Sequence, residues 1–344
     1  MKTQPSQRIQ AVEAVKGIAI ALVVYGHVAQ GVNHRGWWDS PAYFFQESFI
    51  YSFHMAAFFF ASGLFVQSSL ARAGAGSFVV QRMRTVLWPY VVCATLGGAI
   101  SILGLNAAAR SREFVHSVLI PALTGEASWF LPTLFVCLLL AMLTNRLPAL
   151  ARFALAAALC MLWPSTGLRI ADSAARYFVF LAGGEWVNRR IERLETIPRW
   201  AALAGAAAAF GLSVPGNLSS FHDARAMWIA LGFAGTLGLF LLAITLRGTV
   251  LETAACWCGV ASLGIFVLHP FFQGATRILL ARLTASHAVL PNVLIPTLVA
   301  ILGPGLIWHY RDRLHLGFMF AFPWGTPKPS PTPETREKIS IASD

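Results

Sequence analysis

The feature that most limits the fold of this chain is a series of about ten apolar segments, most of them close to the length that crosses a bilayer. Of the 344 residues, 56% are hydrophobic and only 12% are charged, and the mean hydropathy is +0.62. Soluble domains carry about twice that charged fraction. We therefore predict an all-α integral membrane protein with about ten transmembrane helices. The segments are 13–31, 48–68, 85–104, 129–144, 152–165, 173–188, 200–214, 226–246, 256–276 and 290–309.

The net charge of +11 follows membrane topology and does not form a nucleic-acid-binding surface. With a cytoplasmic N-terminus, most of the 26 Lys and Arg residues fall on the cytoplasmic side. This positive-inside pattern predicts that both termini face the cytoplasm and that nucleic acid is not a partner. The cytoplasmic residues include Arg72, Arg82, Arg84, Arg146, Arg152, Arg189, Arg190, Arg193, Arg199, Arg247, Arg311 and Arg313.

Residues 1–322 are predicted to form one membrane domain, with no cleaved signal peptide at its start. The Pro/Ser/Thr-rich segment 323–344 is predicted to be a disordered cytoplasmic tail. The connection 101–128 is predicted to include a short re-entrant helix. Cys256 and Cys258 are too close for an ordinary disulfide and too few for a zinc site, so we expect structural thiols and no metal.

The first apolar segment, residues 8–28, carries three polar side chains on one helical face. Lys16 and His27 are eleven residues apart, which is three turns and about 20°. Glu13 and His27 are fourteen residues apart, which is four turns less about 40°. Glu13 and Lys16 alone are also consistent with a cytoplasmic helix cap and a snorkelling lysine. His27 lies about 16 Å farther along the same face, which favours a polar path into the membrane.

Two further histidines are predicted at a depth similar to that of His27. His54 enters the second segment from the outer side, where a single histidine can also hydrogen-bond to a neighbouring helix. His269 precedes Pro270, which kinks the helix and frees the carbonyl four residues earlier. His269 can therefore satisfy that carbonyl without any catalytic role. Three histidines at one depth favour a shared site.

Arg82 and Arg84 precede the third apolar segment on the predicted cytoplasmic side. They are consistent with an ordinary stop-transfer cluster of charges. They are also consistent with a phosphate-binding pair, because guanidinium groups bind phosphate oxygens bidentately.

Four stretches of this sequence resemble the acyltransferase-3 family of membrane O-acyltransferases that act on bacterial glycans, with relatives such as fucose 4-O-acetylase. They span most of residues 8–272 and follow the family's order. The stretches are RIQAVEAVKGIAIALVVYGH, SFHMAAFFFASGLFV, SFVVQRMRTVLWPY with WFLPTLF, and SLGIFVLHPFF.

The resemblance assigns roles to several of these residues. The family's basic residue and essential histidine fall on Lys16 and His27, although arginine is commoner at the first position and aspartate at that of Glu13. Arg82 and Arg84 occupy the arginine motif that the family uses in acyl-CoA handling. The resemblance also implies a multi-pass protein of the bacterial inner membrane.

We interpret the chain as an O-acyltransferase, specifically an acetyltransferase, that moves an acyl group from cytoplasmic acyl-CoA to a carbohydrate hydroxyl. His27 is the predicted general base, with Glu13 orienting Lys16 and Lys16 holding the acyl-CoA. A covalent acyl-histidine is an open alternative. Acetyl-CoA is expected as the donor substrate, and no bound cofactor is expected. The acceptor is expected to be a cell-surface or exported carbohydrate, either free of lipid or lipid-linked. The candidate acceptor-binding residues are His54, Trp129 and His269.

Two other functions remain open from the residues alone. A transporter of a glycan or small molecule also places polar groups inside membrane helices and kinks a helix at its site. The sequence shows no internal inverted repeat, which disfavours that reading. A non-catalytic scaffold leaves the three histidines at one depth without an explanation.

Overall fold

The computed structural model of the protein describes residues 7–102, 128–188, 196–219, 224–284 and 287–323. Every regular element in these ranges is helical. The predicted re-entrant helix in 101–128 and all but the first residue of the tail 323–344 fall outside the described residues. The α-helices are α1 (Gln7–Asn33), α2 (Pro41–Ala73), α3 (Ala75–Arg82), α4 (Trp88–Ile102), α5 (Phe130–Leu143), α6 (Ala149–Leu162), α7 (Arg169–Val187), α8 (Arg199–Leu218), α9 (Arg225–Thr245), α10 (Val250–Val260), α11 (Ser262–Leu283) and α12 (Val289–Tyr310).

Seven helical segments within the described residues are long and apolar enough to cross a membrane. They are α1, α2, the continuous α3–α4 segment, α8, α9, α11 and α12. The prediction of a multi-pass helical membrane protein is therefore confirmed. The count of ten spans and the cytoplasmic termini stay predictions.

The short apolar helices differ from the predicted spans. At 1.5 Å per residue, α5, α6 and α10 are about 16 to 21 Å long, well below the roughly 30 Å hydrocarbon core. The predicted segment 256–276 is wrong as a single helix, because the chain breaks at Ala261 between α10 and α11. Hydropathy did not reveal this break, since both sides of it are apolar.

The α3–α4 segment contains one π-helical turn, Met83–Leu87. Pro89 has no N–H to donate to the carbonyl of Thr85, so the regular α-helical bonding pattern cannot continue there. Turns of this kind are frequent at functional sites. This one follows Arg82 and contains Arg84.

Two glycines bring α1 and α10 into close contact. A β-carbon on Gly17 would lie 1.8 Å from the carbonyl oxygen of Ala255, and one on Gly259 would lie 1.9 Å from that of Glu13. Only glycine allows the two backbones to approach so closely, as in small-residue contacts between membrane helices. Because α11 follows α10 directly, this contact also fixes the position of α11 beside α1.

The helix α2 runs through the centre of the bundle. Its middle is almost continuously buried, and it packs against α1, α7 and α9. Near its second half, Gln67 donates to Glu185, which is also ion-paired with Arg152. Arg152 further donates to carbonyls of the α5–α6 turn, including that of Thr144. Arg152 is thus a buried structural residue as well as one of the predicted topology charges.

Candidate active site

A cavity of about 370 Å³ opens beside the N-terminal half of α1. We call it the Lys16 cavity. It lies among α1, the second half of α2, the π-helical turn, α5 and the start of α11. Its lining residues are Val12, Glu13, Lys16, Ile20, Phe58, Ala61, Ser62, Phe65, Val66, Ser69, Arg82, Thr85, Val86, Phe130, Leu131, Leu134, Leu138, Ser262, Leu263 and Phe266.

The charged side chains of the Lys16 cavity are Glu13, Lys16 and Arg82. Lys16 Nζ donates to both carboxylate oxygens of Glu13, at 2.8 and 2.9 Å. The Nε of Arg82 is buried with no partner among the described residues, and its guanidinium lies 4.9 Å from the ring centroid of Phe78. Since Glu13 offsets Lys16, Arg82 leaves the cavity with a net positive charge. This favours an anionic ligand.

The far end of the Lys16 cavity is apolar and aromatic. The ring centroids of Phe58 and Phe130 are 5.6 Å apart, and those of Phe130 and Phe266 are 5.1 Å apart. Phe266 also lies 6.2 Å, centroid to centroid, from the ring of His269, which does not line the cavity. The three phenylalanines therefore separate the charged part of the cavity from the histidines.

His269 is held by the backbone carbonyls that precede Pro270. Its Nδ1 lies 3.0 Å from the carbonyl oxygen of Ile265 and 2.9 Å from that of Phe266. Pro270 frees the carbonyl of Phe266 because it has no N–H to donate to it. The structural role considered for His269 is thus confirmed, but its other ring nitrogen makes a second contact.

His27 and His269 form a direct hydrogen bond, with His27 Nδ1 at 2.9 Å from His269 Nε2. Both neighbours of His269 Nδ1 are carbonyl oxygens, so Nδ1 carries the proton and Nε2 of a neutral His269 accepts. His27 must then donate from Nδ1, which leaves its Nε2 as a free lone pair. This assignment follows from the partners and places a proton acceptor on His27.

The other two predicted acceptor residues make no hydrogen bond to this pair. His54 is buried, and its Nδ1 lies 2.7 Å from the carbonyl oxygen of Ile50 in its own helix. Its ring packs edge-on against Tyr51, with centroids 4.7 Å apart. Trp129 packs against the ring of Tyr177 at 4.9 Å and does not line the Lys16 cavity.

The structure does not bring Arg84 into the Lys16 cavity with Arg82. Arg84 Nη2 donates to the carbonyl of Phe322 at 2.9 Å, and Phe322 N donates back to the carbonyl of Arg84 at 3.2 Å. The indole N–H of Trp88 binds the carbonyl of Phe318 in the same C-terminal segment. Arg84 therefore anchors the segment that follows α12.

The aromatic end of the cavity is not among the features predicted from the sequence. Phe266 lies one turn before His269, a spacing that places both on one face of α11. That spacing could have indicated that Phe266 lies close to the histidine site. The contacts of Phe58 and Phe130 could not be predicted in this way, because they depend on how three helices pack. In the described part of the chain, no three His, Cys, Asp or Glu side chains form a group that could hold a metal ion.

An apolar helical bundle with a cationic cavity beside a paired histidine has the features of a membrane-bound group-transfer enzyme. Residues 9–309 match the model of the acyltransferase-3 family, described as an acyltransferase domain. The chain belongs to this family, and it is an acyltransferase. No curated protein and no solved structure matches it significantly.

Proposed function

We propose that this enzyme transfers an acyl group, in the simplest case acetyl, from cytoplasmic acyl-CoA to a hydroxyl of a cell-surface or exported carbohydrate. The observation that carries the proposal is the His27–His269 hydrogen bond, which orients His27 and leaves its Nε2 free to accept a proton. The protein would act in the bacterial inner membrane. The family membership supports an enzyme over the transporter considered above.

The Lys16 cavity supports acyl-CoA as the donor. Coenzyme A carries several negative charges, and Arg82 presents a buried Nε without a partner there. Lys16 is held in place by Glu13 and can donate a further hydrogen bond to a phosphate. Along α1, Lys16 and His27 are about 16 Å apart, a distance comparable with an extended pantetheine arm. The nucleotide can therefore stay near the charges while the thioester passes the phenylalanines.

The chemistry follows from the histidine pair. The acceptor hydroxyl oxygen attacks the thioester carbonyl while its proton moves to His27 Nε2. His269 Nε2 accepts from His27 Nδ1 and stabilises the imidazolium that forms, as an orienting group does in other His-dependent acyl transfers. Collapse of the tetrahedral intermediate breaks the C–S bond, and the CoA thiolate takes the proton from His27. The products are an O-acyl sugar and CoA.

Sidedness provides the test of this proposal. In sealed vesicles of known orientation, [¹⁴C]acetyl-CoA on the cytoplasmic face is expected to label glycan confined to the opposite face. His27→Ala is expected to reduce labelling by about 10²- to 10⁴-fold. Ala42→Cys, an exposed change at the start of α2, serves as the matched control. Full labelling by His27→Ala would contradict the mechanism, and labelling only of glycan on the cytoplasmic face would contradict transfer across the membrane.

A further inference from the structure

A second cavity, of about 270 Å³, lies at the opposite end of the bundle from the Lys16 cavity. We call it the Glu47 cavity. It lies among the first half of α2, the end of α8 and the start of α9. Its lining residues are Phe44, Glu47, Ser48, Tyr51, Ser52, Asn217, Trp228 and Leu231.

The two cavities lie on either side of the histidines. Along α2, the Glu47 cavity uses positions 44–52 and the Lys16 cavity uses positions 58–69, with His54 between them. Along α1, the Lys16 cavity uses positions 12–20, whereas Gln30, one turn beyond His27, donates to Glu47 at 2.8 Å. A ligand in the Glu47 cavity therefore approaches His27 from the side opposite to acyl-CoA.

Tyr51 forms the wall between the Glu47 cavity and the histidines. Its ring packs against His54, and its hydroxyl lies 3.1 Å from the position of a β-carbon on Gly26, next to His27. That hydroxyl is buried and has no hydrogen-bond partner among the described residues. A buried hydroxyl without a partner is costly, so a ligand that bonds to it gains affinity.

The chemistry of the lining indicates a neutral polyol. Glu47 supplies a carboxylate, and Ser48 supplies a hydroxyl that already donates to the amide oxygen of Asn217 but can still accept, while Trp228 and Phe44 supply aromatic surface. Such a combination suits a ligand with both hydroxyl groups and apolar C–H surface. The described lining includes a carboxylate but no Lys or Arg, which disfavours an anion. The volume is just below the usual range for cavities that bind drug-sized ligands, about 300–1,000 Å³, and suits one sugar ring.

From this arrangement we infer that the Glu47 cavity binds the acceptor, as a neutral sugar unit whose reacting hydroxyl passes Tyr51 to reach His27. The inference rests on the proposed function. It places the acceptor at residues other than Trp129, whose ring packs against Tyr177.

The test compares two activities of the purified protein. The first is acetyl-CoA hydrolysis, in which water is the acceptor. The second is the additional CoA release caused by methyl glycosides of glucose, galactose, mannose, rhamnose and fucose. Ser48→Cys introduces a thiol into the Glu47 cavity with little change in volume. Fluorescein-5-maleimide attached to that thiol then blocks access to the cavity. Wild type and Ala42→Cys, treated in the same way, report on the native cysteines and on labelling outside the cavity.

Labelled Ser48→Cys is expected to lose glycoside stimulation at least tenfold more than hydrolysis, while labelled Ala42→Cys keeps both. Tyr51→Phe, unlabelled, is expected to raise the KM for the glycoside about two- to tenfold, as one lost hydrogen bond predicts, without changing the KM for acetyl-CoA. Glycoside stimulation that survives complete labelling of Ser48→Cys overturns this inference alone, as does equal loss of both activities. A wild-type protein that neither hydrolyses acetyl-CoA nor responds to any glycoside contradicts the proposed function itself.

Discussion

Replacing His269 by phenylalanine separates its role as a hydrogen-bond acceptor from its role as a ring in the core. The variant keeps an aromatic side chain of similar size but removes the acceptor for His27 Nδ1, at 2.9 Å in the native protein. A buried donor left without its partner costs about 1–3 kcal/mol. If the catalytic orientation of His27 loses that much stabilisation, the rate of acyl transfer falls about 5- to 150-fold. Most of this range lies below the roughly 10²- to 10⁴-fold loss expected when the base itself is removed.

The assay is steady-state acyl transfer by protein in proteoliposomes over a range of acetyl-CoA concentrations, which gives both kcat and KM. His269→Gln is the matched control, because its amide oxygen can still accept from His27 while its amide N–H can donate to the carbonyl of Phe266. We expect His269→Gln to recover most of the lost kcat, with the KM for acetyl-CoA unchanged in both variants. A native rate in a folded His269→Phe protein, with thermal stability near wild type, would refute the orienting role.

Four other outcomes follow from the structure. Arg82→Ala is expected to raise the KM for acyl-CoA about tenfold to a hundredfold. Arg84→Ala is expected to leave this KM near the wild-type value, because the Arg84 guanidinium binds the C-terminal segment. Equal changes in the KM of both variants, measured by titration with acyl-CoA, would contradict this difference. Phe266→Ala is expected to widen the passage to the histidines, so rates with butyryl- and hexanoyl-CoA rise relative to acetyl-CoA, and an unchanged chain-length profile would argue against an aromatic barrier. Glu185→Ala leaves the buried guanidinium of Arg152 without its carboxylate partner and is expected to destabilise the protein by about 3–5 kcal/mol. The measurement is the thermal midpoint in detergent, and the protein that remains folded is expected to keep a normal KM for acyl-CoA. A reporter fused after residue 325 is expected to be cytoplasmic, and external activity of that fusion would reverse the orientation of both cavities.

Hydropathy allowed the positions of the long apolar helices to be predicted from the sequence. The centres of α1, α2, α8, α9 and α12 fall within predicted segments, because a bilayer-length apolar run has few other structures available to it. Hydropathy does not record where an apolar chain changes direction. The break at Ala261, between two apolar helices, was therefore invisible in the sequence.

The depth of the site histidines in the membrane was predictable from the sequence, but the rotation of the helices that carry them was not. Counting residues placed His27 and His269 at a similar level, yet their hydrogen bond depends on how far α11 is turned toward α1. That rotation is set by contacts such as Gly17 against α10, which involve a shape match between distant segments. Arg84 shows the same limit. Its partner, Phe322, lies 238 residues away in the chain.

The His27–His269 bond joins residues 242 positions apart, which has a consequence for the biogenesis of the enzyme. At about 5–20 residues per second, the ribosome needs roughly 12 to 48 s after making His27 to reach His269. During that interval α1 already carries its own charge partner, since Glu13 and Lys16 pair within a single helix turn. The first helix can thus remain in the bilayer without a charged partner from another helix. A premature stop codon before α11 yields an inserted protein in which His27 lacks its partner, His269.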